Sequence, residues 1–434
     1  MKAKKSLWIL CLACFGLLWV ACNKADAVDP ENLPEEEVEV PEEPELPEEK
    51  IILLSMAERN VADMSNEFGL QVFRSLLARD SKSNMLFSPL SLSLGLALCA
   101  QGGVGDTQAE ILQVLGFTGQ KAEDVAGYFQ KVTNGLASVD YTVKFSSANS
   151  VWVDTPYTLT DTFSKYATDY FCADIASLDL KKKENLTRIN EWCARKTEGM
   201  VDRILDDSRD PEGPIAVSYL LNALCFKGGW PEHFSFDSQM PEGVFHSVEG
   251  DCTLTYLTAK HNYGYAETEK AQLVSLPYGN GSYKMVMALP REGVTMEEMF
   301  SSLTTKDFFK LSEMDPVTLR IPKFTVDYHT EGELVPILKE LGLKTPFDPY
   351  KANFSGMLTG DTKGLIFDMI MQKSYITVDE KGTEAASVTL ISQLYGDVIP
   401  YVPVPRTFIA DRPFSFALVE RSSNTILLLG QKVQ

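Results

Sequence analysis

The chain is poor in the residues that do chemistry. It has four histidines in 434 residues, His233, His246, His261 and His329. None stands in HExxH or in any other paired ligand spacing, so no zinc hydrolase or other metal site is expected. No GxSxG elbow, no phosphate-cradling Walker loop and no dinucleotide fingerprint occurs, and no cofactor is implied. A scattered triad is the remaining alternative, and structural or surface histidines are the better reading; the chain is not read as an enzyme. Basic charge is also short. Forty Lys and Arg face sixty Asp and Glu, for a net charge of −20. A nucleic-acid partner needs a basic face, so none is expected. Internal repeats and a second linker are absent. The longest apolar run, Leu7 to Ala21, is shorter than the about 20 residues a bilayer crossing takes.

What is present begins with that run. Lys2, Lys4 and Lys5 precede it, as in a secretory signal peptide. It ends Leu18-Trp19-Val20-Ala21-Cys22, which resembles a bacterial lipobox, with Trp19 bulkier than the usual leucine. The resemblance implies a signal peptide over 1–21 and lipid on Cys22. The alternative is an ordinary signal peptide followed by a chance cysteine. Residues 26–49 then carry twelve acidic side chains and no basic one, interleaved with proline. Such a segment cannot bury apolar area, and its charges repel, so 22–52 reads as an extended tether. The expected location is exported and lipid-anchored in a bacterial cell envelope, at the outer membrane, because Asn23 stands where an aspartate retains enteric lipoproteins in the inner membrane; exposure at the cell surface is the further expectation.

The remainder, 53–434, has ordinary globular composition and reads as one mixed α/β domain. Its five cysteines, Cys99, Cys172, Cys193, Cys225 and Cys252, are odd in number, widely spaced and mostly in apolar surroundings. Buried thiols fit better than a disulfide framework. Val61, Met64, Phe68, Val72, Leu76 and Leu77 recur at helical spacing over 56–78. Ser88-Pro89 starts a helix that stops at Gly102-Gly103. Thr107 and Glu110 form a capping box for a short helix. Another helix spans 185–197. The apolar run 215–226 reads as a deeply buried strand. Tyr278-Gly279-Asn280-Gly281-Ser282 turns a hairpin. Residues 317–326 alternate around Pro322 as an edge or bulged strand, and 414–419 with 425–429 make a terminal hairpin.

One stretch fits no element. From Asp379 to about Thr407 the chain opens with small residues and ends with Pro400, Pro403 and Pro405. Strand patterns bracket it on both sides. A loop of over twenty residues in a compact domain is uncommon and usually functional, although a disposable surface loop has the same composition.

Glu380-Lys381-Gly382-Thr383-Glu384-Ala385-Ala386 resembles the hinge of an inhibitory serpin. The segment 84–116, the Ile189-Asn190-Glu191-Trp192 and Thr197-Glu198-Gly199 pieces, the Asn222…Phe226-Lys227…Trp230 signature, Ile321-Pro322-Lys323-Phe324, Phe354-Ser355-Gly356-Met357 and Arg412-Pro413-Phe414 resemble the same family, in the right order over about 350 residues. The resemblance implies an α+β serpin fold, with a large central sheet, surrounding helices and an exposed reactive-centre loop. It implies a monomeric inhibitor that forms a covalent complex with a serine or cysteine protease. Cleavage of the loop is followed by its entry into the sheet, which distorts the trapped enzyme. Alternate side chains of the entering strand share a face. Thr383, Ala385, Ser387 and Thr389 are one set, all small; Glu384, Ala386 and Val388 are the other.

By the same resemblance Ser88, Ser91, Asn222, Gln372 and Trp230 belong to the region where the sheet opens. Gln372 stands where many members carry histidine; an amide can bridge to Asn222 but cannot take up a proton. Lys323 and Glu380 match a salt bridge at the top of the sheet. Counting from Gly382 places the scissile bond among Leu394, Tyr395, Gly396 and Asp397. Counting back from Arg412 lands nearer Tyr401-Val402. The hinge count is preferred because the sheet fixes the inserted length. No Lys or Arg lies between Lys381 and Arg406, so a chymotrypsin-like or papain-like enzyme, cutting after Tyr395 or Gly396, suits the loop better than a trypsin-like one. The alternative function is a non-inhibitory serpin-fold binding or carrier protein on the envelope. Such proteins carry bulky or charged hinge residues, which this chain lacks.

The anchor is testable without reference to the loop. Cys22→Ala should release the protein from membranes or block its processing. A wild-type protein recovered wholly in the soluble fraction, with no lipid mass on its N-terminal peptide, contradicts the assignment.

Overall fold

The computed structural model describes residues 50–155, 157–199, 201–205, 218–231, 236–237, 240–330, 332–360, 362, 366, 370–383 and 405–434. The expectations for Cys22, Glu384, Ala385, Ala386, Ser387, Thr389, Leu394, Tyr395, Gly396 and Asp397 lie outside the described residues, as do the side chains of Asn222 and Thr383. Residues Glu49–Gln434 form one compact unit.

Two helices organise the core. Helix Met56–Arg79 starts at Ser55, whose hydroxyl accepts from the Glu58 N–H while the Glu58 carboxylate accepts from the Ser55 N–H. Its apolar stripe, Val61, Phe68, Val72, Leu76 and Leu77, is buried, as the spacing predicts. Helix Pro89–Gly102 is apolar on every side and buried on every side, apart from Gln101. A helix without a polar face has to run through the middle of a protein. Ser88 caps it, accepting from the Ser91 N–H at 3.2 Å.

Two large sheets pack around that helix. One has nine strands. Its central hairpins are Ala271–Tyr278 with Tyr283–Pro290 and Phe414–Glu420 with Thr425–Lys432, all antiparallel. The last two strands are buried along their whole length, which accounts for the apolar runs 416–419 and 426–429. The other sheet has the order Phe324–His329, Met371–Val378, Ser218–Gly229, Val143–Asp154, Ala173–Leu178, with the two-residue strand Gly382–Thr383 added beside Ser218–Gly229. Helix Lys183–Lys196 covers its outer face through a separate apolar cluster: Trp152 meets Trp192 edge-on at 5.7 Å, with Leu186, Ile189 and Leu221 around them.

Three readings change. The alternation over 317–326 belongs to two strands, not one. Ser312–Pro322 lies inside the nine-stranded sheet between Gly250–Glu267 and Arg406–Ile409, and Phe324–His329 is the edge strand of the other sheet. Pro322 has no N–H to extend a ladder, and the chain crosses between sheets at Lys323, whose N–H goes to Thr255 O. Thr107 and Glu110 do not box a helix. Helix Asp106–Val114 starts at Gly105 with φ +63° and no side-chain cap; the Thr107 hydroxyl accepts from the Asn353 N–H, and Glu110 accepts from the backbone of Lys344 and Thr345. Among the cysteines, Cys99 and Cys193 are buried free thiols as expected, whereas Cys172 is exposed.

Candidate functional site

The six-stranded sheet is not closed along its length. Strand Met371–Val378 runs parallel to Ser218–Gly229, and their ladder has four rungs, from Met371 opposite Leu221 to Ser374 opposite Leu224. Beyond Ser374 no rung joins the two strands among the described residues. At the far end the gap is filled by something else. Asp379 and Gly382 close a tight turn on each other, Asp379 N–H to Gly382 O at 3.0 Å and Gly382 N–H to Asp379 O at 3.2 Å. After the turn, Gly382 and Thr383 pair antiparallel with Gly229 and Gly228. The chain thus rises along one side of the gap, reverses, and starts down the middle of it.

Each piece of the turn has a cause in the sequence. Asp379 Oδ1 accepts from the Lys381 N–H at 2.8 Å, a local bond that aspartate makes readily at the head of a turn. Gly382 has φ +117°, and a Cβ built on it would stand 2.2 Å from Gly228 O and 2.6 Å from Gly229 Cα. Both the backbone angle and the close approach of two main chains demand glycine. The Trp230 indole donates to Asp379 O at 2.8 Å and stacks on Tyr278 with centroids 4.5 Å apart. The Lys323 ammonium pairs with Glu380 and holds its carboxyl below the usual carboxylate range. Both partners are about a third exposed, so the pair is worth under about 1 kcal/mol; it fixes where the turn points.

The closed end of the gap is tied to the core. Gln372, buried, accepts from the Ser88 N–H at 2.6 Å with Oε1 and donates to Ser88 O at 3.0 Å with Nε2. One side-chain amide therefore binds a peptide group in both directions. The Thr330 hydroxyl accepts from the Gln372 N–H at 2.9 Å, and the Thr330 N–H reaches Gln372 O. Gln372 stands opposite Asn222 in the ladder, but the amide's described bonds go to Ser88. Ser91 lies one helical turn further on with its Oγ buried and unpartnered among the described residues.

The structure therefore gathers the sequence-derived residues into two groups. Trp230, Lys323, Glu380, Gly382 and the backbone of Thr383 form the open end. Ser88, Ser91 and Gln372, with the backbone of Asn222, form the closed end. Five residues at these two ends, Asp379, Gly228, Gly229, Thr330 and Ser374, were not named as site residues from sequence. Asp379 with a glycine three residues on is a turn signal, and the Gly228-Gly229 doublet inside a strand marks close backbone approach. Thr330 and Ser374 carry no local signal. Among the described residues no cluster of three or more His, Cys, Asp or Glu is placed to hold a metal ion.

Comparison with known proteins agrees with this architecture. The family profile described as "Serpin (serine protease inhibitor)" matches residues 63–434. An uncharacterized serpin-like protein of Methanosarcina mazei is 28% identical over 98% of this chain and 96% of its own length. Intracellular coagulation inhibitor 2 of Tachypleus tridentatus is 28% identical over 86% of this chain and 90% of its own. The crystal structure of the thermophilic serpin tengpin in its native state superposes with a TM-score of 0.75, at 30% identity, over 87% of this chain and 94% of that one.

The seating of the turn is open to measurement. Gly382→Ala should unseat Gly382-Thr383, since the backbone angle alone costs about 1–3 kcal/mol. Amide exchange at Gly228, Gly229, Gly382 and Thr383 should then speed up by roughly 5–150-fold, with the helices unaffected. Lys323→Ala should change the same amides by less than about fivefold. Equal protection in wild type and Gly382→Ala would contradict the steric reading.

Proposed function

The chain belongs to the serpin family, and we propose that it inhibits serine or cysteine proteases as a suicide substrate. The observation that carries this reading is the direction of the chain at Gly382-Thr383. A strand entering between two parallel neighbours from a tight turn has to run antiparallel to both, and these two residues already do so against Ser218–Gly229. The relative named as a coagulation inhibitor supports the same reading.

The chemistry is the protease's own. Its serine or cysteine attacks the carbonyl of the scissile residue in the loop, the peptide bond breaks, and the new amino terminus leaves with the C-terminal piece. The acyl-enzyme is then the freed end of the upstream segment. Entry of that segment into the gap adds ten or more ladder hydrogen bonds at about 0.5–1.5 kcal/mol each. This drives an irreversible step that pulls the enzyme to the opposite end of the sheet before water completes hydrolysis. The order of events depends on small side chains at Thr383, Ala385, Ser387 and Thr389, because a bulky or charged group would stop at the entrance. Cleavage falls after Tyr395 or Gly396, within an apolar stretch that suits chymotrypsin-like or papain-like pockets. Lipid on Cys22 and the acidic tether would hold the inhibitor at an envelope surface, where it meets proteases from outside the cell.

Incubation with chymotrypsin-like and papain-like proteases should yield an SDS-resistant complex, and the C-terminal fragment it releases on denaturation should begin at Gly396 or Asp397. Thr383→Arg should turn the inhibitor into a substrate, cut at the same bond with no complex, because burying an unpaired charge costs several kcal/mol. Loop cleavage of the wild type without any complex, or undiminished complex formation by Thr383→Arg, would overturn the proposal.

A further inference from the structure

Arg320 is a cation held in place without a counter-charge. It stands, partly exposed, on strand Ser312–Pro322, with Thr258 opposite on one side and Ile409 on the other. Among the described residues its guanidinium makes no ion pair and no hydrogen bond. Nε is buried, whereas Nη1 and Nη2 keep contact with solvent. A guanidinium carries five donors, and buried polar groups without partners call for a cause. The more so in a chain of net charge −20, where carboxylates are plentiful.

The group is nevertheless fixed. Its Cζ lies 4.2 Å from the centroid of the Tyr256 ring. Tyr256 is itself fully buried, and its hydroxyl donates to Val244 O at 2.9 Å. Gly243, on the adjoining strand Glu242–Ser247, leaves the room the guanidinium occupies. A Cβ built there would run into Arg320 Nη2 and stand 3.1 Å from both Arg320 Cζ and Tyr256 Cε2. Two carboxylates on neighbouring segments are engaged elsewhere. Asp237 accepts from the Thr258 hydroxyl at 2.8 Å. Asp411 follows Ala410, whose N–H reaches Arg320 O, yet its carboxylate pairs with Arg412 at 3.0 Å. Phe245 shares a strand face with Gly243. The Lys432 ammonium lies 5.9 Å from its ring centroid, bonded to Gln434 O and, among the described residues, to no carboxylate. This face therefore carries two cations that the protein's own acids leave unmatched.

We infer that Arg320 anchors a binding site for a small carboxylate, whose two oxygens take the fork of Nη1 and Nη2. The fork is planar and presents parallel donors, the arrangement that matches a carboxylate in bidentate fashion. Stacking on Tyr256 and contact with Gly243 hold it ready, so little side-chain freedom is lost on binding. The site is independent of the reactive loop and of the inhibitory reading above.

The test uses the full chain with sodium acetate as the probe, and sodium chloride and sodium phosphate at equal ionic strength beside it. The Arg320 Nε–Hε NMR signal, assigned by its disappearance in Arg320→Lys, is followed together with the melting temperature. Acetate should shift the signal saturably and raise the melting temperature by mass action, and chloride should do neither. Arg320→Lys keeps the charge but loses the fork, and its acetate affinity should fall at least about tenfold. Gly243→Ala keeps every charge and displaces only the guanidinium, and its affinity should fall as well. Equal responses to acetate and chloride would mean screening alone and overturn the site. Tighter binding of phosphate than of acetate would overturn the carboxylate assignment. Undiminished binding by Arg320→Lys or by Gly243→Ala would overturn the geometry. A lower melting temperature for Arg320→Lys, with no acetate response in the wild type, would leave Arg320 a packing residue only.

Discussion

The rest of the structure depends on a pair of neighbouring parallel strands joined by four rungs. Parallel neighbours cannot be connected by a tight turn, and antiparallel ones can. A chain that leaves the top of Met371–Val378 through the turn Asp379–Gly382 is therefore already pointed antiparallel to both flanking strands. Above Ser374 no rung joins the two strands among the described residues, and Gly228 and Gly229 of the facing strand pair instead with Thr383 and Gly382.

The two ends of the gap are built for opposite tasks. At the closed end, the Gln372 amide grips the Ser88 peptide from both sides, and Thr330 grips Gln372. Met371–Val378 is thereby fixed to the buried helix Pro89–Gly102 through the residue that caps it. At the open end the contacts are one indole, one ion pair about a third exposed and one glycine pressed against another main chain. None is strong alone, and together they aim the chain rather than lock it. The clamp consists of an amide, a hydroxyl and peptide groups, none of which takes up or releases a proton near neutral pH.

The parts legible in the sequence were those with local causes. Ser88-Pro89 announces a helix whatever surrounds it, and the Gly279-Asn280-Gly281 turn announces a hairpin. The parts that were missed have tertiary causes. Thr107 and Glu110 have capping-box spacing, but Asn353 and Thr345 engage them instead. The pattern over 317–326 is continuous, yet Pro322 ends one ladder and the next residues join another sheet. The Gln372–Ser88 clamp joins positions 284 residues apart, and no spacing rule reaches that far. The family resemblance drew attention to Gly382-Thr383, while only the coordinates gave their direction and register.

The central claim is that the gap between Tyr375–Val378 and the facing strand is open in the intact protein and filled after the loop is cut. Amide hydrogen exchange, read residue by residue over 375–378 before and after cleavage, tests it directly. The gap-facing amides should exchange quickly in the intact protein and become as protected as the sheet interior once the loop is cleaved, while the amides of helix Met56–Arg79 stay unchanged. Exchange that is already slow in the intact protein, or that stays fast after cleavage, would contradict the account.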